Sequence, residues 1–138
     1  MCGIVGYVGG RPCEELLLSG LEKLEYRGYD SAGLSVIEDS RVDSVHAVGN
    51  LANLRAAVGK RAADGDGALP VSHTGIAHTR WATHGGVTEE NAHPHDDSSG
   101  KVHIVLNGIV ENHAGLRRRL QAGGEEFTSE TDAEVVAH

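Results

Sequence analysis

The chain has 138 residues, with 12 Lys or Arg against 20 Asp or Glu, so its formal charge at pH 7 is −8. This length suits one domain with a real core, and the acidic balance argues against nucleic acid as a partner. No apolar run approaches the roughly 18 residues that cross a bilayer, so we expect no membrane-spanning segment. The start of the chain shows no export signal, and Cys2 and Cys13 are too few for a disulfide framework. The sequence therefore predicts a cytoplasmic protein.

The first half of the chain alternates strand and helix patterns. Residues 4–8 are short, apolar and β-branched between glycines, which is typical of a buried strand. Pro12 suits a first helical turn, and leucines at helical spacing continue that helix towards Gly28. The elements predicted next are strands over residues 33–37 and 42–48, a helix over residues 51–63, and a loop over residues 64–67 with Pro70.

The second half of the chain is more polar. After a brief strand over residues 75–79, a polar stretch runs to residue 100, a length typical of a functional or disordered loop. The elements predicted after it are a strand over residues 101–106, a helix over residues 113–121, and a helix opened by a capping box at residues 131–134. Because that last helix has run only to His138, we expect a fragment, one incomplete α/β or α+β domain.

Cys2 is the candidate nucleophile because of its position. Most isolated cysteines are small buried hydrophobes, and that interpretation is the alternative here. A Met followed by a small residue is usually trimmed, which would leave Cys2 with a free α-amine beside its own thiol. The α-amine has a pKa of about 7.7–8.0 and the thiol about 8.5, so the amine can act as the base for the thiol near neutral pH. This pattern indicates an N-terminal nucleophile.

Two further segments offer groups that such a nucleophile needs. Asn107-Gly108 at a predicted strand end could supply an amide and a backbone N–H to an oxyanion, although a plain Asn-Gly turn is the alternative. Arg80 could bind a carboxylate with both arms of its guanidinium, with Thr83 and His84 completing the hydrogen bonds. A solvated surface charge is the alternative for this arginine.

The remaining candidates are a carboxylate and a histidine-rich segment. Asp132 at a predicted helix start would complement the helix dipole or bind an ammonium group. The chain has nine histidines, and His93 and His95 lie close to Asp96 and Asp97. No ligand pair has the spacing of a known zinc site, and there is no glycine-rich phosphate loop. The sequence therefore predicts neither a metal nor a cofactor.

Six blocks of sequence together resemble one family. The blocks are residues 2–6, 24–33, 75–85, 91–95, 107–112 and 129–132. In this order and over almost the whole chain, they resemble the glutamine–fructose-6-phosphate aminotransferases, the glucosamine-6-phosphate synthases. Other class II glutamine amidotransferases share the Cys and Asn-Gly elements. The amidophosphoribosyltransferases, however, lack the sequence motifs found here at residues 26–30 and 78–84.

The resemblance implies a fold and a place in a larger protein. The implied fold is α+β, an N-terminal-nucleophile hydrolase αββα sandwich that is incomplete at the C-terminus. Residues 1–138 would be a truncated glutamine amidotransferase type 2 (glutaminase) domain. Because truncation of a sandwich leaves sheet edges unpaired, we expect these residues alone to be inactive. The parent would be a homo-oligomer whose sugar isomerase-type domains, which bind fructose 6-phosphate, are absent here.

The resemblance also implies a reaction. Cys2 would attack the side-chain amide of glutamine, while Asn107 and Gly108 would hold the oxyanion. Hydrolysis would yield glutamate and ammonia, and the parent would use the ammonia to convert fructose 6-phosphate to glucosamine 6-phosphate. Neither a membrane nor nucleic acid would be a partner.

The substrate-binding residues are implied in the same way. Arg80, with Thr83 and His84, would bind the α-carboxylate of glutamine, and Asp132 would bind its α-amine. Trp81 would belong to a lid, the loop that follows Arg80 and closes over glutamine.

Two other functions remain open. The chain could be a non-catalytic module that binds glutamine or a partner chain, and a retained Met1 would favour this because the amine would be displaced by one residue. It could also be the glutaminase part of another class II amidotransferase with a different acceptor.

Overall fold

The computed structural model describes residues 1–64 and 67–138. The elements in chain order are β1 (Gly3–Val8), α1 (Glu14–Glu22), β2 (Ser31–Glu38), β3 (Arg41–Val48), α2 (Leu51–Ala63), β4 (Thr74–Arg80), β5 (His95–Asp96), β6 (His103–Ile104), α3 (His113–Ala122) and α4 (Glu134–Ala137). Part of the predicted loop over residues 64–67 lies outside the described residues. Within the described ranges, none of these helices is both long and apolar enough to span a membrane.

Four strands form an antiparallel sheet in the order β1-β4-β2-β3. The hairpin between β2 and β3 closes through Asp39 and Ser40, whose φ angles are 47° and 64°. Positive φ at both central residues of a two-residue loop has the twist that matches flanking strands. The strands predicted from residues 4–8, 33–37, 42–48 and 75–79 are therefore confirmed, each with slightly wider bounds.

The main apolar core lies between one face of this sheet and helices α1 and α2. Leu17 and Leu21 of α1 and Leu54 of α2 are completely buried, as the helical spacing of the leucines predicts. The sheet contributes alternate residues to the same core, because successive side chains of a strand point to opposite faces. These residues include Ala32, Leu34, Val36, Val45, Ala47 and Ala77. Gly75 allows α1 to approach β4 closely, since a Cβ there would lie 2.7 Å from Leu17 Cδ1.

The opposite face of the sheet carries polar side chains and is covered by the second half of the chain. Ser35 Oγ lies 2.9 Å from His103 Nδ1, which ties β2 to the small antiparallel sheet of β5 and β6. Gly33 lets the chain around His93 lie close to the large sheet, because a Cβ at Gly33 would sit 2.3 Å from the His93 carbonyl oxygen. Helix α4 contacts both β5 and β6. The layers thus follow the predicted order of helix, sheet, sheet and helix.

Two elements are shorter than the sequence-based expectation. Helix α1 begins at Glu14 and ends at Glu22. It does not continue to Gly28, because residues Glu25–Arg27 form a separate short 3₁₀ helix. The strand predicted over residues 101–106 is only two residues long. The N–H groups of Lys101 and Val102 both donate to Asp97 Oδ1, at 3.0 and 2.9 Å, so they make a turn instead of extending β6.

The predicted capping box is wrong. Ala133, not Thr131, precedes α4, and it makes no side-chain cap hydrogen bond. Thr131 Oγ1 instead pairs with His95 Nε2 at 2.8 Å. The buried Glu134 carboxylate accepts N–H groups of Thr128 and Ser129, at 2.7 and 2.8 Å. The two residues therefore shape the loop before α4 and anchor it to β5.

Candidate functional site

The two cysteines lie in different environments. Cys2 directly precedes β1, and the antiparallel pairing of β1 with β4 places it beside the residues that follow β4. Its Sγ accepts a hydrogen bond from the backbone N–H of Trp81 at 3.2 Å. Cys13 is completely buried in the main core, and burial raises the pKa of its thiol. Only Cys2 is placed to react with a bound molecule.

Asn107 and Gly108 lie on the loop after β6, next to Cys2. Asn107 Nδ2 donates to the Cys2 carbonyl oxygen at 3.3 Å, and Gly108 lines a pocket together with Cys2. The alternative of a plain hairpin turn does not fit, because the next element along the chain is α3 rather than a pairing strand. The Asn107 amide thus lies against the Cys2 backbone, and Gly108 lines the pocket that the Cys2 side chain also lines.

Arg80 is the last residue of β4, and it is only 4% exposed. This burial excludes the solvated surface charge. Its Nη1 donates to the Gly86 carbonyl oxygen at 2.9 Å, and its Nη2 donates to the His84 carbonyl oxygen. The Arg80 guanidinium therefore stabilises the loop that follows β4 through these two carbonyl groups. Arg80 also lines the pocket beside Cys2.

Asp132 brings a nearly buried carboxylate to the same pocket. It is 5% exposed, and its Oδ2 accepts the backbone N–H of Val110 at 2.6 Å. Its Oδ1 lies 4.0 Å from His84 Nδ1, which is beyond hydrogen-bond distance. A cationic group on a bound molecule could therefore pair with this carboxylate, in the pocket that Arg80 also lines.

The structure brings all eight predicted site residues together around Cys2. One pocket is lined by Cys2, Arg80, Trp81, Thr83, His84, Gly108 and Asp132. Asn107 lines an adjoining pocket, which also touches Cys2. The first pocket has a volume of about 40 Å³, room for only a few water molecules. The adjoining pocket is larger, at about 370 Å³, so the space beside Cys2 extends beyond the first pocket.

Sequence reasoning missed three residues that shape this site. Asp30 Oδ2 accepts the N–H of Ala82 at 2.7 Å, and Glu130 Oε2 accepts the N–H of Gly86 at 3.1 Å. These two carboxylates hold the loop at two points. The third residue, His78, contacts Asn107. All three fall inside the family-like sequence blocks, but no spacing rule marks them, because each meets its partner only through the fold.

A cluster of buried histidines lies behind the pocket. The rings of His78 and His93 stack with centroids 4.3 Å apart, and those of His93 and His95 are 4.4 Å apart. Burial, aided by neighbouring charges, lowers the pKa of His93 to about 2, and burial lowers those of His78 and His95 to about 4. The three rings are therefore neutral at pH 7. Within residues 1–64 and 67–138, no three His, Cys, Asp or Glu side chains are grouped to hold a metal ion.

Acidification below about pH 6.5 is expected to destabilise the fold through this cluster. A histidine in the unfolded chain has a pKa near 6.5, whereas His78 in the folded chain has a pKa of about 4. Between these pH values the unfolded chain binds a proton at His78 and the folded chain does not, so acidification favours unfolding. One pKa unit corresponds to about 1.4 kcal/mol, so His78 alone would cost about 2 kcal/mol by pH 5 and about 3.5 kcal/mol below pH 4. Urea unfolding at pH 7, 6 and 5 would measure the loss.

Matched variants separate the cluster from other titrating groups. His95→Gln can keep the contact with Thr131 and should flatten the dependence of unfolding free energy on pH. His73→Gln, at a half-exposed position, should leave that dependence as in the wild type. A slope unchanged in His95→Gln would show that this ring does not contribute to it.

The architecture matches that of two solved chains. The glutamine phosphoribosylpyrophosphate amidotransferase from B. subtilis aligns with a TM-score of 0.73 and 22% identity, over 100% of this chain and 28% of that one. A structure described as the allosteric regulatory enzyme of purine biosynthesis aligns with a TM-score of 0.76 and 24% identity, over 100% and 29%. The fold is that of the N-terminal-nucleophile amidotransferases, as expected from the sequence.

The sequence comparison is more specific. A family model described as a glutamine amidotransferase domain matches residues 37–138, and the chain belongs to this family. Two relatives are named glutamine–fructose-6-phosphate aminotransferase (isomerizing). The one from Streptomyces coelicolor is 51% identical over 138 residues, and the one from Tropheryma whipplei is 53% identical over 139 residues. The chain is covered completely in both alignments and spans 22% of the length of each relative.

Proposed function

We propose that this chain is the glutamine-hydrolysing part of a longer enzyme and that Cys2 is its nucleophile. The observation that carries the proposal is the position of Cys2. Its sulfur accepts the Trp81 N–H, and the Asn107 amide lies against its backbone. The pocket beside it has Arg80 and Asp132 in its lining, a cation and an anion that complement the two charges of an α-amino acid.

The chemistry starts from the thiol. Once Met1 is removed, the free α-amine of Cys2 takes the thiol proton, and the thiolate attacks the side-chain amide carbon of glutamine. Asn107 Nδ2 and the Gly108 N–H stabilise the negative oxygen that develops. The tetrahedral intermediate collapses, and the amide nitrogen leaves with the proton from the amine as ammonia. Water then hydrolyses the glutamyl thioester, which yields glutamate and restores the thiol.

Removal of Met1 is part of the proposal. Met1 is 67% exposed, which makes it accessible to an aminopeptidase. Its ammonium group donates to the carbonyl oxygens of Arg27 and Gly28, at 2.8 and 3.0 Å. A retained Met1 would keep the base one residue away from the thiol and would favour a binding module without catalysis. The mass of the mature N-terminal peptide distinguishes the two.

Substrate recognition follows from two charged residues. Arg80 uses Nη1 and Nη2 on loop carbonyls, and its guanidinium has five N–H donors in all. The remaining donors can bind the α-carboxylate of glutamine while the loop stays attached. Thr83 and His84 line the same pocket and would add hydrogen bonds to it. Asp132, with Oδ2 held by Val110, would present Oδ1 to the α-ammonium group.

The acceptor reaction is proposed from the relatives' names. Their name supports a parent enzyme that passes the ammonia to fructose 6-phosphate and forms glucosamine 6-phosphate. The acceptor would bind to sugar isomerase-type domains outside residues 1–138. We also propose that the parent is a homo-oligomer that uses no cofactor and that it is cytoplasmic. A reducing compartment fits the two cysteines, which are free within the described residues.

A glutamine-like diazo-ketone tests the proposed function directly. Incubation with the whole protein should modify Cys2 alone, because only this thiol faces the pocket, and Cys13 is completely buried. Peptide mass spectrometry locates the adduct, and excess glutamine should protect Cys2 from it. An adduct on Cys13, or labelling of Cys2 that glutamine does not slow, would contradict the proposal.

A further inference from the structure

The Asn107 side-chain amide has a hydrogen-bond donor, Nδ2, and an acceptor, Oδ1, and both make a hydrogen bond. Its Nδ2 donates to the Cys2 carbonyl oxygen at 3.3 Å, and its Oδ1 lies 2.7 Å from His78 Nε2. Only the nitrogen end can stabilise a negative oxygen. If the amide were turned around, the oxygen end would face Cys2 and repel the developing charge. Whatever controls this orientation therefore controls the proposed oxyanion site.

His78 is held rigidly where it meets Asn107. It lies in β4, where its backbone is paired with Ile4 of β1 and Gly33 of β2. Its side chain is completely buried, and its ring stacks on that of His93 with an angle of 19° between the planes. A ring fixed on a central strand offers Asn107 a partner that cannot easily rotate away.

The hydrogen bond between the two side chains has only one direction. Asn107 Oδ1 is a carbonyl oxygen, which accepts and never donates, so His78 Nε2 must carry the hydrogen. The ring is neutral because burial lowers its pKa to about 4, so Nδ1 is left without a proton. Nδ1 is buried and has no hydrogen-bond partner among the described residues.

The second ring of the stack reinforces the same loop. His93 Nδ1 accepts the backbone N–H of Leu106 at 3.3 Å, directly before Asn107 in the chain. One histidine thus holds the backbone of the loop, and its stacked neighbour holds the side chain of the next residue.

We infer that His78 is a positioning residue for the oxyanion site, in which its Nε2–H fixes Asn107 Oδ1 and so directs Nδ2 towards Cys2. The inference rests on the proposed hydrolysis of glutamine at Cys2. Because the oxyanion exists only during the reaction, loss of this orientation should lower kcat for glutamine hydrolysis and leave KM nearly unchanged.

Two substitutions of His78 test the inference in the whole protein. In His78→Gln, the side-chain amide nitrogen reaches about as far as Nε2 of histidine and can still donate to Asn107. In His78→Asn, the amide nitrogen is too short to reach. We expect kcat to fall about tenfold or more in His78→Asn, with KM within about twofold, and to recover largely in His78→Gln. His103→Asn is the matched control, a partly buried histidine that bonds Ser35 instead.

Alkylation of Cys2 by iodoacetamide distinguishes positioning from a general structural role. This displacement at carbon forms no oxyanion, so its rate should be the same in the wild type and in both His78 variants. In an Asn107→Ala background, His78→Asn should cause no further loss of kcat. An unchanged kcat in His78→Asn, an equal loss of kcat and alkylation rate, or additive losses with Asn107→Ala would overturn the inference. A wild-type protein that does not hydrolyse glutamine, or a Cys2→Ala variant that still does, would instead overturn the proposed function.

Discussion

Cys2→Ala is expected to abolish glutamine hydrolysis in the whole protein and to leave ammonia release at background. The Cys2 sulfur is the atom that would form the glutamyl thioester, and Cys13, the other cysteine of residues 1–138, cannot replace it because it is completely buried. Removal of a catalytic nucleophile typically costs about 10⁶-fold in kcat. A coupled assay for glutamate and a direct assay for ammonia would both register the loss.

Cys13→Ala is the matched control for this prediction. It should cost some stability, because a buried side chain becomes smaller, but glutamine hydrolysis by the folded protein should stay close to wild type. Similar losses of activity in both variants at the same folded fraction would mean that Cys2 is not the nucleophile.

Arg80→Ala and Asp132→Ala are each expected to weaken glutamine binding tenfold or more. Both residues are almost completely buried, at 4% and 5% exposure, and both line the pocket beside Cys2. Truncation of one partner of a buried, charged hydrogen bond costs about 2–5 kcal/mol. The dissociation constant of glutamine, measured by calorimetry in a Cys2→Ala background, isolates binding from turnover.

Two further variants sharpen this measurement. Arg80→Lys should restore binding only in part, because an ammonium group lacks the planar arrangement of donors that reaches the substrate and the loop carbonyls together. Arg55→Ala removes an arginine that pairs with Glu15 and Glu22 on the surface, so it should leave glutamine binding unchanged. Glutamine affinity that stays at the wild-type value in Arg80→Ala or Asp132→Ala would remove that residue from the substrate site.

The sequence predicted the elements whose stability comes from local pattern. The helix over residues 51–63, predicted from its many Ala and Leu residues, has these bounds in the structure, where Asn50 accepts the N–H of Asn53 as a local N-cap. The two strands of the β2–β3 hairpin were also predicted, over residues 33–37 and 42–48, but their pairing was not. The errors came where a side chain from elsewhere replaced the local partner. In the strand predicted over residues 101–106, the N–H of Val102 donates to the Asp97 side chain instead of to a neighbouring strand. Thr131 forms a hydrogen bond with His95 instead of capping a helix.

The sequence alone determined which residue types the candidate site contains. The blocks around Cys2, Arg80, Asn107 and Asp132 are recognisable as those of the family by their order and their amino-acid sequence. Only the tertiary structure decided how these residues face one another. The pairing of β1 with β4 brings Cys2 to the end of the strand that carries Arg80. The support of Asn107 by His78 depends on a contact between residues 29 positions apart, and no local periodicity encodes such a contact. Long-range hydrogen bonds and the burial that orients them exist only after the sheet has formed and the polar loops have closed over its second face.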